Sequence, residues 1–175
     1  MSQPTPANVF TPPIALSQAE LAQQQQRILS LFQEGRLQEA EQAARTLTQR
    51  APQHGFGWKA LGLILSRLDR KNEALPAMQQ AAKLLPRDAE AFNNLGALFR
   101  EGNQLDFALA CYQHAVEVNP GFLPSLDNLI RLTTQMKRHQ ELLPLLKRKI
   151  ALVPADADTL KQINQLEQAA GAASA

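Results

Sequence analysis

Cysteine is almost absent from this sequence, and its absence excludes two kinds of stabilisation. The 175 residues include a single cysteine, Cys111, so the chain can form no internal disulfide and no metal site built from several cysteines. We expect Cys111 to be buried as a small apolar residue. One thiol fits a reducing compartment, and we therefore expect a cytoplasmic protein.

Long apolar runs are absent too. No stretch approaches the roughly 18 consecutive apolar residues that suggest a membrane span, so we expect no membrane contact. The first residues, MSQPTPANVFTPPIALS, have neither the basic region nor the apolar core of a secretory signal. Aromatic residues make up 5% of the chain, and valine and isoleucine are sparse and never alternate for long. Alanine, leucine and glutamine are abundant instead, which predicts an all-α fold.

The residue patterns that catalysis or strong electrostatic binding requires are missing as well. The formal net charge is +2, too small to indicate a nucleic-acid partner. The sequence has no glycine-rich phosphate loop and no G-x-S-x-G motif, and its carboxylates are scattered. The histidines His54, His114 and His139 are not spaced as in a helical metal site. We therefore predict a protein that is not an enzyme and has no cofactor and no metal.

A fixed period is what the sequence does have. Prolines recur every 34 residues, at Pro52, Pro86, Pro120 and Pro154. A period of this length is typical of stacked helix pairs. When four repeats are counted from residues 21, 55, 89 and 123, position 8 holds Ile28, Gly62, Gly96 and Ile130. Position 20 holds Ala40, Ala74, Ala108 and Leu142. Small residues at these positions let two helices approach closely, and each proline ends the second helix of its pair.

Two of the repeats resemble the tetratricopeptide repeat over nearly its whole signature. That signature is W-x2-L-G-x2-Y, then A-x3-F-x2-A and a closing proline. The second repeat has WKALGLIL at 58–65, ALPAMQQA at 74–81 and Pro86, and the third has FNNLGALF at 92–99, ALACYQHA at 108–115 and Pro120. The outer repeats match more loosely. The resemblance covers residues 21–156 and implies a right-handed α-solenoid of about four helix-turn-helix repeats.

The chain is expected to divide at the ends of this array. Residues 1–16 contain four prolines and are predicted to be extended or disordered. Residues 17–156 hold the four repeats, at about 21–54, 55–88, 89–122 and 123–156. Residues 157–170 have apolar residues at helical spacing and are predicted to form a capping helix. Residues 171–175 are expected to be a flexible tail.

Two prolines fall within helical patterns, and both lie at position 22. A proline inside a helix costs about 3 kcal/mol. In the first turn it costs little, because the first four backbone N–H groups of a helix have no helical hydrogen-bond acceptor. We therefore predict N-caps near Asn72 and Gln140, which place Pro76 and Pro144 in the first turn of their helices.

The same pattern separates packing residues from residues that can bind a partner. In a solenoid of helix pairs, the first helix of each pair lines the concave face. On the third of these helices Phe92 and Leu95 belong to the packed stripe, whereas Asn93 and Asn94 lie on the opposite arc. An asparagine amide both donates and accepts hydrogen bonds, so it can bind the backbone of an extended peptide. Asn94 and Asn128 lie one period apart, so they would form a ladder of two amides along the groove. The alternative is that these asparagines are polar only because they face solvent.

We predict a partner-binding groove from the residues on this arc in successive repeats. They are Lys59, Leu63, Arg67, Glu90, Asn93, Asn94, Ala97, Arg100, Glu101, Asn128 and Arg131. A second candidate surface is a basic cluster, formed by Lys137, Arg138, Lys147, Arg148 and Lys149. This basic cluster is either a solvated helix surface or a docking patch for an acidic partner.

Further resemblances concern the use of such a groove. The amide ladder resembles one in the repeats of O-linked N-acetylglucosamine transferases, and HGFGWKALG and AEAFNNLG resemble bacterial arrays that precede SPINDLY-type glycosyltransferase domains. No stretch resembles the catalytic domain itself, so the resemblance implies substrate or partner binding only. The carboxylate clamp of chaperone-binding repeats is matched at Lys59 and Asn94. Leu63, Pro124 and Asn128 stand where that clamp needs asparagine, lysine and arginine, so we do not expect it.

These features predict a non-catalytic scaffold that binds an extended peptide or a partner helix in its concave groove. Two alternatives stay open: the substrate-docking or regulatory arm of a glycosyltransferase-type enzyme, and a secretion or assembly chaperone. The partner is expected to be a protein or peptide, and the chain a monomer or weak homo-oligomer. The sequence does not identify the partner, because this fold serves many unrelated functions.

Overall fold

The structure is a computed structural model that describes residues 16–173, with side chains for residues 16–169. Within that range it contains nine α-helices and no strand, which confirms the predicted all-α fold. The helices are α1 (Gln18–Gln33), α2 (Leu37–Arg50), α3 (Gly55–Arg67), α4 (Lys71–Leu84), α5 (Ala89–Glu101), α6 (Leu105–Val118), α7 (Leu123–Gln135), α8 (His139–Leu152) and α9 (Ala157–Ala173). The predicted extended segment, apart from Leu16, and the last two residues of the predicted tail lie outside the described residues.

The first eight helices form four successive pairs. Each odd-numbered helix packs against the even-numbered helix that follows it, and each even-numbered helix packs against the next odd-numbered one. The turn inside each pair contains one residue with a left-handed backbone, which recurs every 34 residues, at Gly35, Asp69, Asn103 and Lys137. The last helix, α9, packs against α8 and covers the end of the fourth pair.

The array is curved because its two rows of helices pack differently. The backbones of neighbouring odd-numbered helices approach each other at α1–α3, α3–α5 and α5–α7. Within the described range the even-numbered helices do not approach each other in this way, and they are joined by long side chains, as in the pairs Arg45–Glu73 and Arg148–Val116. The odd-numbered helices are therefore closer together and line the concave face. The result is the predicted right-handed solenoid of four helix pairs with a C-terminal capping helix.

Close contact within the two central pairs depends on glycine at position 8. A Cβ atom built on Gly96 would lie 2.7 Å from Tyr112 Cε1 and 3.2 Å from the carbonyl oxygen of Ala108. At Gly62 the same atom would lie 2.9 Å from Met78 Cε and 3.2 Å from the Met78 amide nitrogen. The missing side chains are what allow α3 to approach α4, and α5 to approach α6, this closely.

The fourth pair has larger side chains at the same positions. Ile130 and Leu142 stand where the third pair has a glycine and an alanine. Most buried residues form one continuous core that ends in α7, whereas Leu142, Leu146 and Ile163 form a second, smaller core. Ile130 is half-buried and packs against both cores. The last two helices are therefore held mainly by a core of their own.

The predicted starts of α4 and α8 are wrong by two residues. The N-caps are Arg70 and Arg138, not Asn72 and Gln140. The residue with the left-handed backbone sets the earlier start, because it reverses the direction of the chain immediately after the preceding helix. The amide that follows it then bonds a carbonyl five residues earlier in the preceding helix.

Both prolines consequently lie beyond the first turn, contrary to the prediction. Pro76 is the sixth residue of α4, and Pro144 is the sixth residue of α8. Each proline leaves one carbonyl of the preceding turn without its helical amide. In α4 this is the carbonyl of Asn72, and both Asn72 and Pro76 are exposed. Water can bind that carbonyl, so the lost helical bond is partly replaced.

The last helix starts as the first helix of a fifth repeat would. The Asp156 carboxylate accepts a hydrogen bond from the Thr159 amide at 3.0 Å. Asp88, at the same repeat position, accepts one from the Ala91 amide at 3.0 Å at the start of α5. The described helix continues to Ala173, whereas the sequence placed the end of the capping helix at residue 170.

We expect the packing of α9 to weaken in acid. The hydrogen bond from the Thr159 amide and the ion pair with Lys149 lower the pKa of Asp156 to about 2. A carboxylate whose pKa is lower in the folded state stabilises the fold above its unfolded pKa, and this contribution is lost as the pH falls through the folded value. Between about pH 4 and pH 2, the amides of α9 should therefore lose hydrogen-exchange protection relative to those of α6. The variant Asp156→Asn keeps a capping oxygen that cannot titrate, and an unchanged acid response in it would contradict this explanation.

Replacing Lys137 by glycine should stabilise the protein by about 0.5–1 kcal/mol. Lys137 has a φ of 55°, and a left-handed backbone costs a residue with a Cβ atom about 1–2 kcal/mol. The greater freedom of glycine in the unfolded chain cancels part of the gain. Urea unfolding measures the difference. The control Asn103→Gly should gain less, because asparagine tolerates this backbone; equal gains in the two variants would count against the interpretation.

Candidate binding groove

The concave face has two different surfaces, one in each half of the array. Between α1 and α3 lies a hollow of about 200 Å³, which we call the apolar hollow. Between α5 and α7 the face is polar and carries asparagine and arginine side chains. The apolar hollow is lined by Ile28, Leu29, Phe32, Phe56, Lys59, Ala60, Leu63, Ile64 and Glu90.

The apolar hollow is open to solvent and can accept one large apolar side chain. Leu29 and Leu63 both stand at position 9, one period apart, and Leu29 is 41% exposed. Phe32 and Phe56 are half-buried beside them. The guanidinium carbon of Arg67 lies 5.3 Å from the centroid of the Phe32 ring, within cation–π distance. A positive charge therefore stands at the edge of the apolar hollow.

An ion-pair network separates the apolar hollow from the polar surface. Lys59 Nζ lies 2.8 Å from Asp88 Oδ2 and 3.0 Å from Glu90 Oε2. Burial disfavours the charge on Lys59, but its hydrogen bonds to the two carboxylates outweigh burial and raise the pKa of the amine. Burial likewise opposes ionisation of Asp88, and the bonds from Lys59 and the Ala91 amide lower its pKa on balance. The charge on Lys59 is thus neutralised within the chain.

The predicted asparagines do come together, but in a different pairing. The side-chain amide of Asn128 donates to Asn93 Oδ1 at 2.9 Å, and the Ser125 hydroxyl donates to the same oxygen at 3.1 Å. Asn94 Nδ2 is buried and has no hydrogen-bond partner among the described residues. Asn93 therefore links α5 to α7. The two-amide ladder of Asn94 and Asn128 stays a prediction about the bound state.

Positions 5, 9 and 12 of each repeat face this groove. In the first two repeats they include Lys59, Leu63 and Phe32, which line the apolar hollow. In the fourth they are Asp127, Arg131 and Thr134, which line an opening between α7 and α9. The corresponding residues of the third repeat, which lies between these, are Asn93, Ala97 and Arg100. The two openings therefore lie on the same face, and the repeat positions predict that the groove runs between them across the third repeat.

Most acidic residues of the groove are in ion pairs, whereas its arginines are not. Within the described part of the chain, Arg67, Arg100 and Arg131 have no carboxylate within 4.0 Å. Glu90 pairs with Lys59, Glu101 with Lys71 at 3.1 Å, and Asp127 with Lys149 at 2.9 Å, whereas Asp158 has no ion-pair partner among the described residues. The groove therefore offers three guanidinium groups that are free to bind a carboxylate.

The opening between α7 and α9 is a cleft of about 630 Å³. Among the described residues the backbone of α9 approaches that of α8 but not that of α7, and Ile130 of α7 packs onto the small core that includes Ile163 of α9. The apolar floor of the cleft includes Ile130, Leu142 and Leu146, and its edge carries Arg131 and Asp158.

The predicted basic cluster has fewer unpaired basic side chains than the sequence suggests. Four of its five members have partners within the chain: Lys149 bonds Asp127 and Asp156, Arg138 bonds Glu141, Lys147 bonds Glu167, and Arg148 donates to the Val116 carbonyl. Lys137 is exposed. The use of this basic cluster as a docking patch stays a prediction.

The described residues offer little for catalysis or metal binding. No group of three or more metal-binding side chains comes together in them. Cys111 is half-buried, and burial raises the pKa of its thiol to about 11, which leaves it unreactive at neutral pH. His114 packs on the Phe92 ring and contacts the Pro86 carbonyl oxygen at 3.0 Å. None of the helices in the described range combines the length and the apolarity needed to cross a membrane.

Sequence reasoning missed the first-repeat side of the groove. Leu29, Phe32 and Phe56 line the apolar hollow but were not among the predicted binding residues. The first repeat matches the signature poorly, so the signature does not mark its groove positions. A usable signal was present, because Leu29 and Leu63 are both large apolar residues at position 9, where packing does not require them.

The helix pairs, their 34-residue period and the concave groove together define a tetratricopeptide repeat solenoid. Residues 23–131, more than half of the chain, match the family model described as "Psidin, N-terminal TPR repeats region", and the chain belongs to that family. The resemblance to SPINDLY-type arrays stays a prediction.

Two kinds of curated protein are similar to this chain. It is 34% identical to the protein O-mannosyl-transferase TMTC1 of Mus musculus over 150 residues, which are 83% of this chain and 16% of that protein. It is 30% identical to the N-terminal acetyltransferase A complex auxiliary subunit NAA15 of Arabidopsis thaliana over 95 residues, 54% of this chain and 11% of that protein. The chain thus spans less than a fifth of the length of either relative.

Solved structures of low sequence identity share the fold. A chain of Naa15/Naa10 bound to HypK-THB superposes with a TM-score of 0.73 at 17% identity, over 86% of this chain and 23% of that chain. YrrB, described as a TPR protein with an unusual peptide-binding site, superposes with a TM-score of 0.65 at 22% identity, over 77% of this chain and 70% of that chain.

Proposed function

We propose that this chain is a non-catalytic scaffold whose concave groove holds an extended peptide or a partner helix. The proposal includes a protein or peptide partner rather than nucleic acid or membrane, a cytoplasmic location, and a monomeric or weakly self-associating chain. It is in keeping with two similar proteins, since NAA15 is named as an auxiliary subunit and YrrB is described as having a peptide-binding site.

The observation that carries the proposal is a concave face with both apolar and hydrogen-bonding parts. An extended peptide needs donors and acceptors for its backbone and pockets for some of its side chains. The apolar hollow supplies a pocket. The amide nitrogen of Asn93 supplies a donor, and the amide oxygens of Asn94 and Asn128 supply acceptors, since none of these three atoms is hydrogen-bonded or fully buried in the described chain. A backbone N–H and C=O of a peptide can use both kinds of group.

Replacing Asn94 and Asn128 by alanine should weaken peptide binding about 10-fold or more, because hydrogen bonds contribute about 1 kcal/mol each. The probe is the tightest synthetic peptide from a phage-displayed library of random dodecapeptides selected on the purified chain, and fluorescence polarisation measures its affinity. The Tm should fall by no more than a few degrees, since the variant loses only one modest hydrogen bond within the chain.

The matched control is Asn72→Ala, which removes an exposed amide from the outer row of helices and should leave peptide affinity unchanged. Unaltered affinity in the groove variant, or an equal loss in the control, would reject the groove as the binding surface. Failure of the library to yield any binding peptide would reject the proposed function.

One observation favours a second function, the docking or regulatory arm of a larger glycosyltransferase-type enzyme. The similarity to TMTC1, named as a transferase, covers most of this chain but 16% of that protein. The native polypeptide that contains this sequence can be sized by immunoblot. A polypeptide much larger than 19.3 kDa with transferase activity would support the proposal of a docking or regulatory arm. An inactive polypeptide of about 19.3 kDa would exclude a covalently attached catalytic domain. No contact in the described chain favours a secretion or assembly chaperone over these two.

A further inference from the structure

We infer that the segment bound in the groove is acidic and carries one large apolar residue beside its carboxylates. The apolar residue occupies the apolar hollow, and the carboxylates meet Arg67, Arg100 and Arg131. This inference rests on the proposed peptide-binding function and specifies the chemistry of the ligand.

The distribution of ion pairs gives the groove its preference for negative charge. Among the acidic residues, all except Asp106, Glu117 and Asp158 are in ion pairs within the chain. Asp106 and Glu117 belong to α6, in the outer row. A carboxylate that enters the groove therefore meets guanidinium groups without an ion-pair partner. An ammonium group meets carboxylates that, apart from Asp158, already bond a lysine. Such an arrangement discriminates between ligands by charge.

The position of Arg67 sets the spacing between the apolar residue and the first carboxylate. Arg67 follows Leu63 by one helical turn, and its guanidinium lies against Phe32 on the other side of the apolar hollow. A carboxylate that bonds Arg67 is therefore within one to three residues of the apolar residue in an extended chain, which advances about 3.3 Å per residue. Guanidinium binds carboxylate in a bidentate manner, which favours Asp or Glu over a neutral polar residue.

The remaining arginines extend the pattern along the groove. Arg100 and Arg131 come from the next two odd-numbered helices, and packed helices lie about 8–10 Å apart. That distance corresponds to about three residues of extended chain, so a second acidic residue is expected about three positions beyond the first. Arg131 faces the unpaired carboxylate of Asp158 across the cleft between α7 and α9, and we therefore expect it to contribute least.

The test uses the random dodecapeptide library as its probe. The enriched peptides should share a large apolar residue followed or preceded, within one to three positions, by Asp or Glu. The triple variant Arg67→Gln/Arg100→Gln/Arg131→Gln should bind the selected peptide about 10- to 50-fold more weakly at low salt, as expected for several exposed charge pairs. Its affinity should also lose most of its dependence on salt concentration.

The control Arg87→Gln removes an exposed arginine outside the groove and should change neither affinity nor salt dependence. The charge-reversed variant Arg67→Glu/Arg100→Glu should select basic instead of acidic peptides. Peptides that require Asn94 and Asn128 but show no acidic preference would overturn this inference and leave the proposed function intact. A library that yields no binding peptide would overturn both. Circular dichroism checks that each variant keeps its helices.

Discussion

Replacing Gly96 by valine should lower the free energy of unfolding by about 3 kcal/mol, the upper end of the usual cost of overpacking. The Cβ atom alone would lie 2.7 Å from Tyr112 Cε1 and 3.2 Å from the carbonyl oxygen of Ala108. The Tyr112 ring has no exposed surface, so it cannot swing into solvent. The backbones of α5 and α6 must then separate, and the two extra methyl groups of valine add further clashes.

The effect should spread because each pair of a solenoid is stabilised by its neighbours. Separation of α5 from α6 removes the central link of the array, and we expect the urea midpoint to fall with a broader transition. Gly102→Ala is the matched control. The nearest atoms to a Cβ there are 3.5 Å away and its φ is −79°. That variant should be neutral or stabilised by up to about 1 kcal/mol. Equal destabilisation of the two variants would show that close packing at Gly96 is unimportant.

Replacing Leu146 by alanine should destabilise the C-terminal end of the array by about 2–5 kcal/mol, as large-to-small changes in a core do. Leu146 is 1% exposed and belongs to the small core that it forms with Leu142 and Ile163. Because the main core does not include these residues, we expect α8 and α9 to open while α1–α6 stay folded.

Hydrogen exchange measured by mass spectrometry distinguishes this local opening from global unfolding. Protection should fall strongly in α8 and α9 and little in α3–α6. Leu152→Ala is the control, because Leu152 is in the same helix but 43% exposed, and it should change protection only slightly. Uniform loss of protection along the chain would contradict the division into two cores.

The period of the sequence predicted most of the fold because spacing reflects packing directly. Glycine at positions 62 and 96 marks the closest helix contacts. The starts of α4 and α8 were predicted wrongly because proline chemistry was given priority over the turn. The left-handed backbone at Asp69 and Lys137 sets these starts. Lysine at 137 gives no sign of it, but Gly35 and Asn103 occupy the same repeat position and favour this backbone, so comparison of the repeats could have located the turn.

The candidate site was less predictable, because it depends on how neighbouring helices are rotated. The sequence placed Asn93, Asn94 and Asn128 on the groove arc, but the pairing of Asn128 with Asn93 depends on the rotation of α5 relative to α7. The free charge of the basic cluster was overestimated because Asp156 and Glu167, which pair with two of its lysines, lie outside the four repeats. Partners beyond a repeat pattern cannot be inferred from that pattern.

Chemical-shift mapping of the complex tests the central claim, that the concave groove is the binding surface, most directly. The tightest dodecapeptide from the library is titrated into the ¹⁵N-labelled chain, and backbone and asparagine side-chain amides are followed. The account predicts that the largest shifts fall in α1, α3, α5 and α7, together with the side-chain amides of Asn93, Asn94 and Asn128, while α2, α4 and α6 change little. Shifts that cluster on the even-numbered helices would contradict it.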